Sequence, residues 1–383
     1  MDVIFPVPDD PAALAELLET IPNQPAVFLL WPRTGPDSPP VAPTVLRTNV
    51  LRRRLGKLLS GTYLGMVERV EYHLTGSRLE TQFVLLELAR THFGSARREH
   101  VRLRFPYYLR LAFSNAFPRT RITKRLARSP AVGCDRHPVT VGPFQSRTTA
   151  AAFESEFLDL FQLRRCQENL APSPQHPGCI YGEMNRCLRP CQQAVGPEEY
   201  LGEADRVALF LNTGGRSLLD SALAARERAS LEMDFEGAAM LHQRVKRIEA
   251  VATVRDEMAR PLDHLHAVAV LPAASPTSIT LGWLKRGVWC GFTLLDFDSA
   301  PDPDKPQAAS LDTRLRETAA ALAEPDPGPV ERMEHLALLS RWFYSSWRDG
   351  ELLLFDDWEK LPYRKLVNAV SRVSKGQKSN DLK

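Results

Sequence analysis

The 383-residue sequence has no stretch near the roughly 18 consecutive apolar residues that a membrane-spanning helix needs, so no membrane span is expected. Its first residues lack a basic run followed by an apolar one, which argues against a secretory signal and for a cytoplasmic protein. Internal repeats are missing, which excludes a solenoid or propeller. Cysteine is scarce: six residues in a chain of this length do not make the disulfide framework of a small secreted domain. Net charge is small as well, +3 from 49 Lys+Arg and 46 Asp+Glu. With 44% hydrophobic and 25% charged residues the composition excludes general disorder, and the length allows two or three compact domains.

What charge there is, is unevenly placed. Residues 1–191 hold 25 Lys+Arg against 17 Asp+Glu, which leaves the remainder acidic. The basic excess concentrates in RREHVRLRFPYYLRLAFSNAFPRTRITKRLAR, residues 97–128, where ten cationic side chains meet one acid, Glu99. Phe105, Tyr107, Tyr108, Phe113 and Phe117 are interleaved with them. Cations mixed with aromatics suit a phosphate backbone, and Arg119, Arg121, Lys124 and Arg125 are the candidate DNA contacts. A solvated face over an aromatic core is the competing reading.

Along the chain, DDPAALAELLET opens a short helix with Asp10 as N-cap and Pro11 in the first helical position. AVFLLW (26–31) reads as a buried strand, followed by a Pro-rich hairpin loop, a short strand TVL and a helix NVLRRRLGKLLS. MVERVEYHLT (66–75) alternates as a strand does, and SRLETQFVLLELARTHF (77–93) has helical periodicity. The order β-β-α-β-α predicts a small α+β layer over residues 1–95. A basic connector spans 96–165, a cysteine loop 166–191 and a helical hairpin 200–260, with its two helices joined near Asp234. Residues 262–383 form a mixed α/β segment: strands HAVAVLPA and SITLGWLKRGVWCGFTLLDF, with Lys285, Arg286 and Gly287 at a turn. A Pro-rich linker at 297–306 and helices near 311–323 and 328–347 follow, and the Lys-rich last ten residues are expected to fray.

Four of the six cysteines are crowded together. Cys166, Cys179, Cys187 and Cys191 have the spacing C-x12-C-x7-C-x3-C. In C-x3-C one helical turn or tight loop can point both thiols toward a single site. Pro190 and the stretch APSPQHPG supply the turns that a wrapping loop needs. In a reducing compartment such a group is read as metal or cluster ligands. Spacing alone leaves a [4Fe–4S] cluster and zinc both open, because only one short C-x3-C pair is present. Cys134 and Cys290 stand apart and are expected to be ordinary buried thiols.

The run FQLRRC…CIYGEMNRCLRPC, followed by EEYLGEADRVALFL, resembles the UvrC family of nucleotide-excision-repair nucleases, and within it the short, N-terminal-half homologue Cho. The resemblance implies an iron–sulfur cluster on the four cysteines. Upstream, VGPFQSRTTAAAFESEFLDLF is similar to the family's segment before the cysteines. Downstream, ASLEMDFEGAAMLHQRV resembles the UVR motif, a helical hairpin that in the family pairs with UvrB. Read without the family, Phe235, Ala238, Ala239, Val245 and Ile248 fall on one helical stripe too thin to bury itself in two helices. Phe235, Ala238 and Ala239 are the candidate partner contacts, and packing against the protein's own body is the alternative. His242 and Gln243 stand where the family usually has Arg-Asp.

The same resemblance makes residues 20–95 a GIY-YIG nuclease domain with changed motifs. The first motif's tyrosine falls on Phe28, the second motif's tyrosine on Thr44 and its glycine on Leu46, and a third tyrosine on Leu58. Arg54 matches the helix arginine, Arg47 stands where lysine is usual, and Glu87 matches the glutamate that would hold Mg²⁺ or Mn²⁺. Phe28, Thr44 and Leu58 cannot take a proton from water near neutral pH, and Tyr63 or Tyr72 would have to substitute. The family's second, RNase H-like nuclease and its helix-hairpin-helix motifs have no counterpart here, and neither do residues 300–383 in the family. The implied function is a DNA-repair protein acting on DNA with UvrB, with an impaired cutting site. A non-catalytic Fe–S DNA-binding adaptor and a zinc-stabilised interaction protein are the alternatives.

Overall fold

The computed structural model describes residues 1–35, 41–126, 136–297, 310–326 and 328–381, with side chains to residue 377. The chain begins with strand β1 (Val3–Pro6), helix α1 (Pro11–Thr20), strands β2 (Ala26–Pro32) and β3 (Thr44–Thr48), helix α2 (Leu51–Leu59), strand β4 (Val67–Leu74) and helices α3 (Arg78–Phe93) and α4 (Arg97–His100). Strands β5 (Tyr107–Ala112), β6 (Arg119–Thr123) and β7 (Val139–Phe144) follow. Next come helices α5 (Arg147–Leu158), α6 (Ile180–Glu183), α7 (Pro197–Thr213), α8 (Arg216–Leu231) and α9 (Phe235–Val254). The rest comprises strands β8 (Arg260–Pro261), β9 (His266–Pro272), β10 (Ser278–Lys285) and β11 (Val288–Asp296), helices α10 (Leu311–Ala320) and α11 (Pro329–Phe343), strand β12 (Glu351–Phe355) and helix α12 (Tyr363–Asp381). The fold is α+β.

Two compact units result. One takes in Met1–Arg104, His266–Asp326 and Ala337–Lys383, the other Phe105–Leu265 and Pro327–Leu336. The first unit carries an antiparallel sheet of order β1-β4-β2-β3 and a second of order β11-β10-β9-β12. Asp10 caps α1 by accepting from the backbone N–H groups of Ala12 and Ala13, as the Asp-Pro start predicts. Ala26 through Leu30 are all buried, so β2 is covered on both faces and reads as a continuous apolar run for that reason. Phe5, Phe28, Leu51, Leu55, Leu58 and Tyr72 share its core. Each such side chain contributes about 1.5–3 kcal/mol by leaving water.

Elsewhere in this unit, α3 starts at Ser77, which accepts from the Glu80 N–H. Gly76 leaves no room for a Cβ: the backbone of Ala273 stands 2.1 Å from where it would sit. The turn between β10 and β11 uses positive φ at Arg286 and Gly287, as a tight hairpin needs. Two sequence expectations need correction. β1 and β12 are strands that the alternation did not disclose, and they complete the edges of their sheets. The last ten residues, expected to fray, continue helix α12 as far as Asp381, and the same helix buries Leu366, Ala369 and Val370 against its sheet. Most of the Pro-rich linker at 297–306, and Cys134, lie outside the described residues. Cys290 is half-buried.

The second unit holds a sheet of order β6-β5-β7-β8 covered by α5, α7, α8 and α9. A ladder of aromatic rings, Phe153, Phe157, Phe161 and Phe210, fills the layer between them. α5 opens with a reciprocal capping box between Ser146 and Thr149. The hairpin of α8 and α9 turns at Glu232, Met233 and Asp234, with Met233 at positive φ and Asp234 accepting from the Gly237 N–H. Among the described residues no helix is long and apolar enough to cross a membrane.

Candidate metal centre and nucleic-acid interface

The cysteine loop is irregular chain held by specific polar contacts. Asn185, Arg189 and Gln193 adopt positive φ, and so does Gly178, which packs against the Gln192 side chain. These left-handed positions let 26 residues fold back on themselves without a regular element. The Cys179 carbonyl accepts from Gly182 and Glu183 at 2.9 and 3.2 Å, and the Cys191 carbonyl from Ser173 at 2.9 Å. Gln162 fastens the loop to the end of α5: its backbone carbonyl accepts from Leu188 and its side chain donates to the Asn185 carbonyl.

The four thiols influence one another. Burial pushes the Cys187 thiol up to about 11, with Cys179, Cys166 and Cys191 adding to the rise. Cys191 is raised by burial and then by Cys179 and Cys166. All four therefore stand in one electrostatic neighbourhood. Among the described residues no three His, Cys, Asp or Glu side chains already close on a common point as a metal-binding group does. The surrounding donors suit negative sulfur. Arg164, 3% exposed, donates from Nη1 to Cys166 Sγ at 3.4 Å and to the Glu168 carbonyl at 3.0 Å. Its Nε donates to the Phe117 carbonyl. A guanidinium thus stands within donor distance of the first cysteine's sulfur.

The basic stretch folds into the edge of a sheet. β5 and β6 pair antiparallel, with Arg110 directly opposite Arg121, and β6 is the outer strand. Burial, then the neighbouring guanidinium of Arg121, holds Arg110 below the usual arginine range. Arg121, Lys124 and Arg125 are exposed, and Lys124 lies over the Tyr107 ring at 4.6 Å. Arg119 differs from them. It donates to the Cys166 carbonyl at 3.1 Å and to the Gln167 side chain at 2.6 Å, so it ties the edge strand to the cysteine loop. Arg128, the last cation of the stretch, lies outside the described residues.

The apolar stripe of α9 divides. Val245, Ile248 and Val251 are buried in the unit's own core, which corrects the reading of one continuous partner-facing stripe. Phe235 at the tip is 74% exposed, beside Leu231, Met233 and Met240 at 78%, 76% and 66%. Ala238 is half-buried and Ala239 exposed.

In the first unit, Phe28 is fully buried and stands opposite Leu46 on β3 and Tyr72 on β4. Leu58 is buried as well. Tyr72 is 6% exposed, and burial followed by the charge of Asp2 raises its phenol, so it is a worse proton acceptor than a free tyrosine. Tyr63 packs against the same core. Arg47 on β3 and Arg54 on α2 are exposed. Glu87 on α3 is half-buried, with Oε1 3.3 Å from Arg90 Nη1 one turn on, so its first partner is a cation. The described geometry places the four thiols in one electrostatic neighbourhood and ties the edge strand to their loop.

Sequence reasoning missed Arg164 and Asp159. Asp159 receives Arg165, Arg186 and Arg247 at 2.5, 2.9 and 3.1 Å. Arg164 and Arg165 are the arginine pair just before Cys166, and their adjacency to the first of the clustered cysteines was the available signal.

An α+β fold whose cysteine loop is braced by Arg119 of a basic sheet edge and by the buried Arg164 is the structural class. Residues 107–210 match the family model described as UvrC/Cho excinuclease, middle domain. The chain is 26% identical over 302 residues to UvrABC system protein C of Nitratidesulfovibrio vulgaris, covering 74% of this chain and 42% of that protein. To the protein of the same name from Moorella thermoacetica it is 26% identical over 249 residues, 62% of this chain and 38% of that one. To that of Alcanivorax borkumensis it is 25% identical over 205 residues, 52% and 32%. The chain thus spans about a third to two fifths of these relatives. No solved structure matches it. Residues 107–210 thus resemble a UvrC/Cho middle domain, and the relatives that the chain matches more widely are UvrC proteins.

Proposed function

We propose that this protein acts on DNA in nucleotide excision repair, as a UvrC/Cho-like subunit that binds the duplex together with a UvrB-like partner and cuts phosphodiester bonds weakly or not at all. The observation that carries the reading is the middle-domain match over residues 107–210, within which the cation-rich edge β6 and the cysteine loop are joined through Arg119. Cys166, Cys179, Cys187 and Cys191 would hold a [4Fe–4S] cluster, with zinc the alternative that their spacing allows. Such a group cross-links the loop and so fixes the surface beside it. Arg164 and Arg119 hold the first ligand in place from its sulfur and its carbonyl.

Arg121, Lys124 and Arg125 would contact phosphates, and Arg119 would contribute charge while braced on the loop. The exposed tip around Phe235, Ala238 and Ala239 would take the UvrB-like partner. In the first unit, Arg47 and Arg54 would still attract phosphate, and Glu87 would hold Mg²⁺ or Mn²⁺ only by giving up Arg90. Water activation lacks a phenolic acceptor where Phe28, Thr44 and Leu58 stand at the tyrosine positions, which supports the impaired reading. The test is a binding titration on damaged and undamaged duplex at several salt concentrations, with iron, sulfide and zinc measured on anaerobically purified protein. Salt-dependent binding by an iron- and sulfide-containing protein is expected. Colourless protein with stoichiometric zinc overturns the cluster, and absence of DNA affinity overturns the function.

A further inference from the structure

Asp159, at the end of α5, collects three guanidiniums: Arg165 beside the first cysteine, Arg186 inside the cysteine loop and Arg247 on α9. One carboxylate balances one of these charges. Glu154 also faces Arg165, but burial raises its pKa, so it is a weaker source of negative charge there. The side chains of Arg186 and Arg247 are 39% and 53% exposed, while Arg165 is 11% exposed and its buried Nε makes no hydrogen bond. Arg165 also lies over the Tyr181 ring at 5.1 Å. Around Tyr181 the loop shows two further apolar side chains to solvent, Ile180 at 62% and Met184 at 52%. A guanidinium excess with an open side, bordered by exposed apolar and aromatic groups, is the composition of a nucleic-acid contact rather than of a solvated surface.

We propose that Arg165, Arg186 and Arg247 form a phosphate-binding point for a nucleic-acid backbone, with Tyr181, Ile180 and Met184 as the adjoining surface for the sugar or an unstacked base. Asp159 is the counter-ion with which a phosphate would compete for the three guanidiniums. It holds the three forks in one place when no phosphate is bound, and the backbone phosphate approaches from the side on which Arg186 and Arg247 are open. Arg186 belongs to the cysteine loop and Arg247 to α9, so bound nucleic acid would also bridge these two segments. The site is separate from the edge-strand cations and was not among the contacts expected from the sequence.

The inference rests on the proposed DNA binding, and the experiment separates the two. Fluorescence-anisotropy titrations of the full chain with a labelled duplex and a labelled single strand are run at several salt concentrations. The proteins are the parent, R186Q/R247Q, D159N and an edge-strand variant R121Q/K124Q/R125Q. Iron and free-thiol content are measured on each, so that a collapsed loop is recognised. R186Q/R247Q should lose on the order of tenfold in affinity and flatten the salt dependence by up to about two phosphates. D159N removes the competing carboxylate and should bind as tightly as the parent or more tightly. R186Q/R247Q binding like the parent while the edge-strand variant is weakened overturns the arginine site alone. D159N weakened as much as the double variant, with iron and thiols intact, shows a bracing role and also overturns it. A parent that binds no nucleic acid overturns both readings.

Discussion

Two regions of this protein that the family associates with chemistry have been treated in opposite ways. In the cysteine loop every side chain that the resemblance calls for is present, and the surroundings reinforce it: Arg164 donates to Cys166 Sγ and Arg119 to the Cys166 carbonyl. In the β2–β3–α2 region the positions that the resemblance would give to tyrosines hold Phe28 and Leu58, both built into the core, and Thr44. The difference teaches where fold and chemistry can be separated. The loop is irregular chain held by specific polar contacts, and a group bound by its thiols would add cross-links to them. The sheet depends on apolar packing, to which buried side chains such as Phe28 and Leu58 contribute.

The largest expected effect breaks the loop side of this comparison. Cys187 is the most deeply placed of the four thiols, at 6% exposure, and Cys187→Ser should lower cluster iron at least about tenfold. It should also loosen residues 166–191 in limited proteolysis, because a group bound by the four thiols would cross-link them. Retention of iron by the variant would remove Cys187 from the ligand set. Arg164→Gln should act in the same direction and more weakly, through the lost donor to Cys166.

Next in size is the contrast within α9. Ile248→Ala should cost about 2–5 kcal/mol of stability, since Ile248 is 1% exposed in the core of the second unit. Phe235→Ser, at the 74% exposed tip, should change stability by less than about 0.5 kcal/mol and weaken binding to a UvrB-type partner. Thermal unfolding and a binding assay on the same preparations check the pair. Equal destabilisation by both would show that the tip packs on this protein itself.

A smaller effect sharpens the division of labour along the edge strand. R121Q/K124Q/R125Q should reduce the slope of log affinity against log salt by up to about 0.9 per lost phosphate contact, with iron content unchanged. Arg119→Gln should show the reverse weighting, a modest loss of DNA affinity with a measurable loss of iron, because its guanidinium holds the Cys166 carbonyl. An unchanged salt slope in the triple variant would make the strand a solvated edge.

Much of this was legible in the sequence, and the failures have physical causes. Asp10, Ser77, Ser146 and Asp234 cap helices where their residue types announce it, and the Lys285–Arg286–Gly287 turn sits where glycine and a tight hairpin require it. β1 and β12 were not visible because four- and five-residue strands gain their hydrogen bonds from a partner distant in sequence. Val245 and Ile248 were legible as apolar and periodic, but periodicity does not say whether the covering surface is the same chain or another. The four cysteines were found by spacing. The arginines on Asp159 were not, because residues 159, 165, 186 and 247 come together only through the fold.

The smallest expected effect concerns the first unit, where the prediction is that nothing changes. Glu87→Ala should leave strand cutting of damaged duplex indistinguishable from the parent when a UvrA and UvrB preparation and Mg²⁺ or Mn²⁺ are supplied. Losing general-base assistance typically lowers a rate by about 10² to 10⁴, and phosphodiester hydrolysis starts from a very high barrier. Tyr72 does not replace the missing acceptor, since burial raises its phenol and places it in the core opposite Phe28. Glu87 in turn already faces the Arg90 guanidinium, so a divalent cation would have to displace a charge that costs nothing to keep. Phe28→Tyr should fail to restore cutting and should cost about 1–3 kcal/mol, because its hydroxyl would enter a fully buried site. Incision by the parent that disappears in Glu87→Ala would overturn this prediction, and it would identify Glu87 as the ligand of a working metal and Tyr63 or a bound water chain as the base.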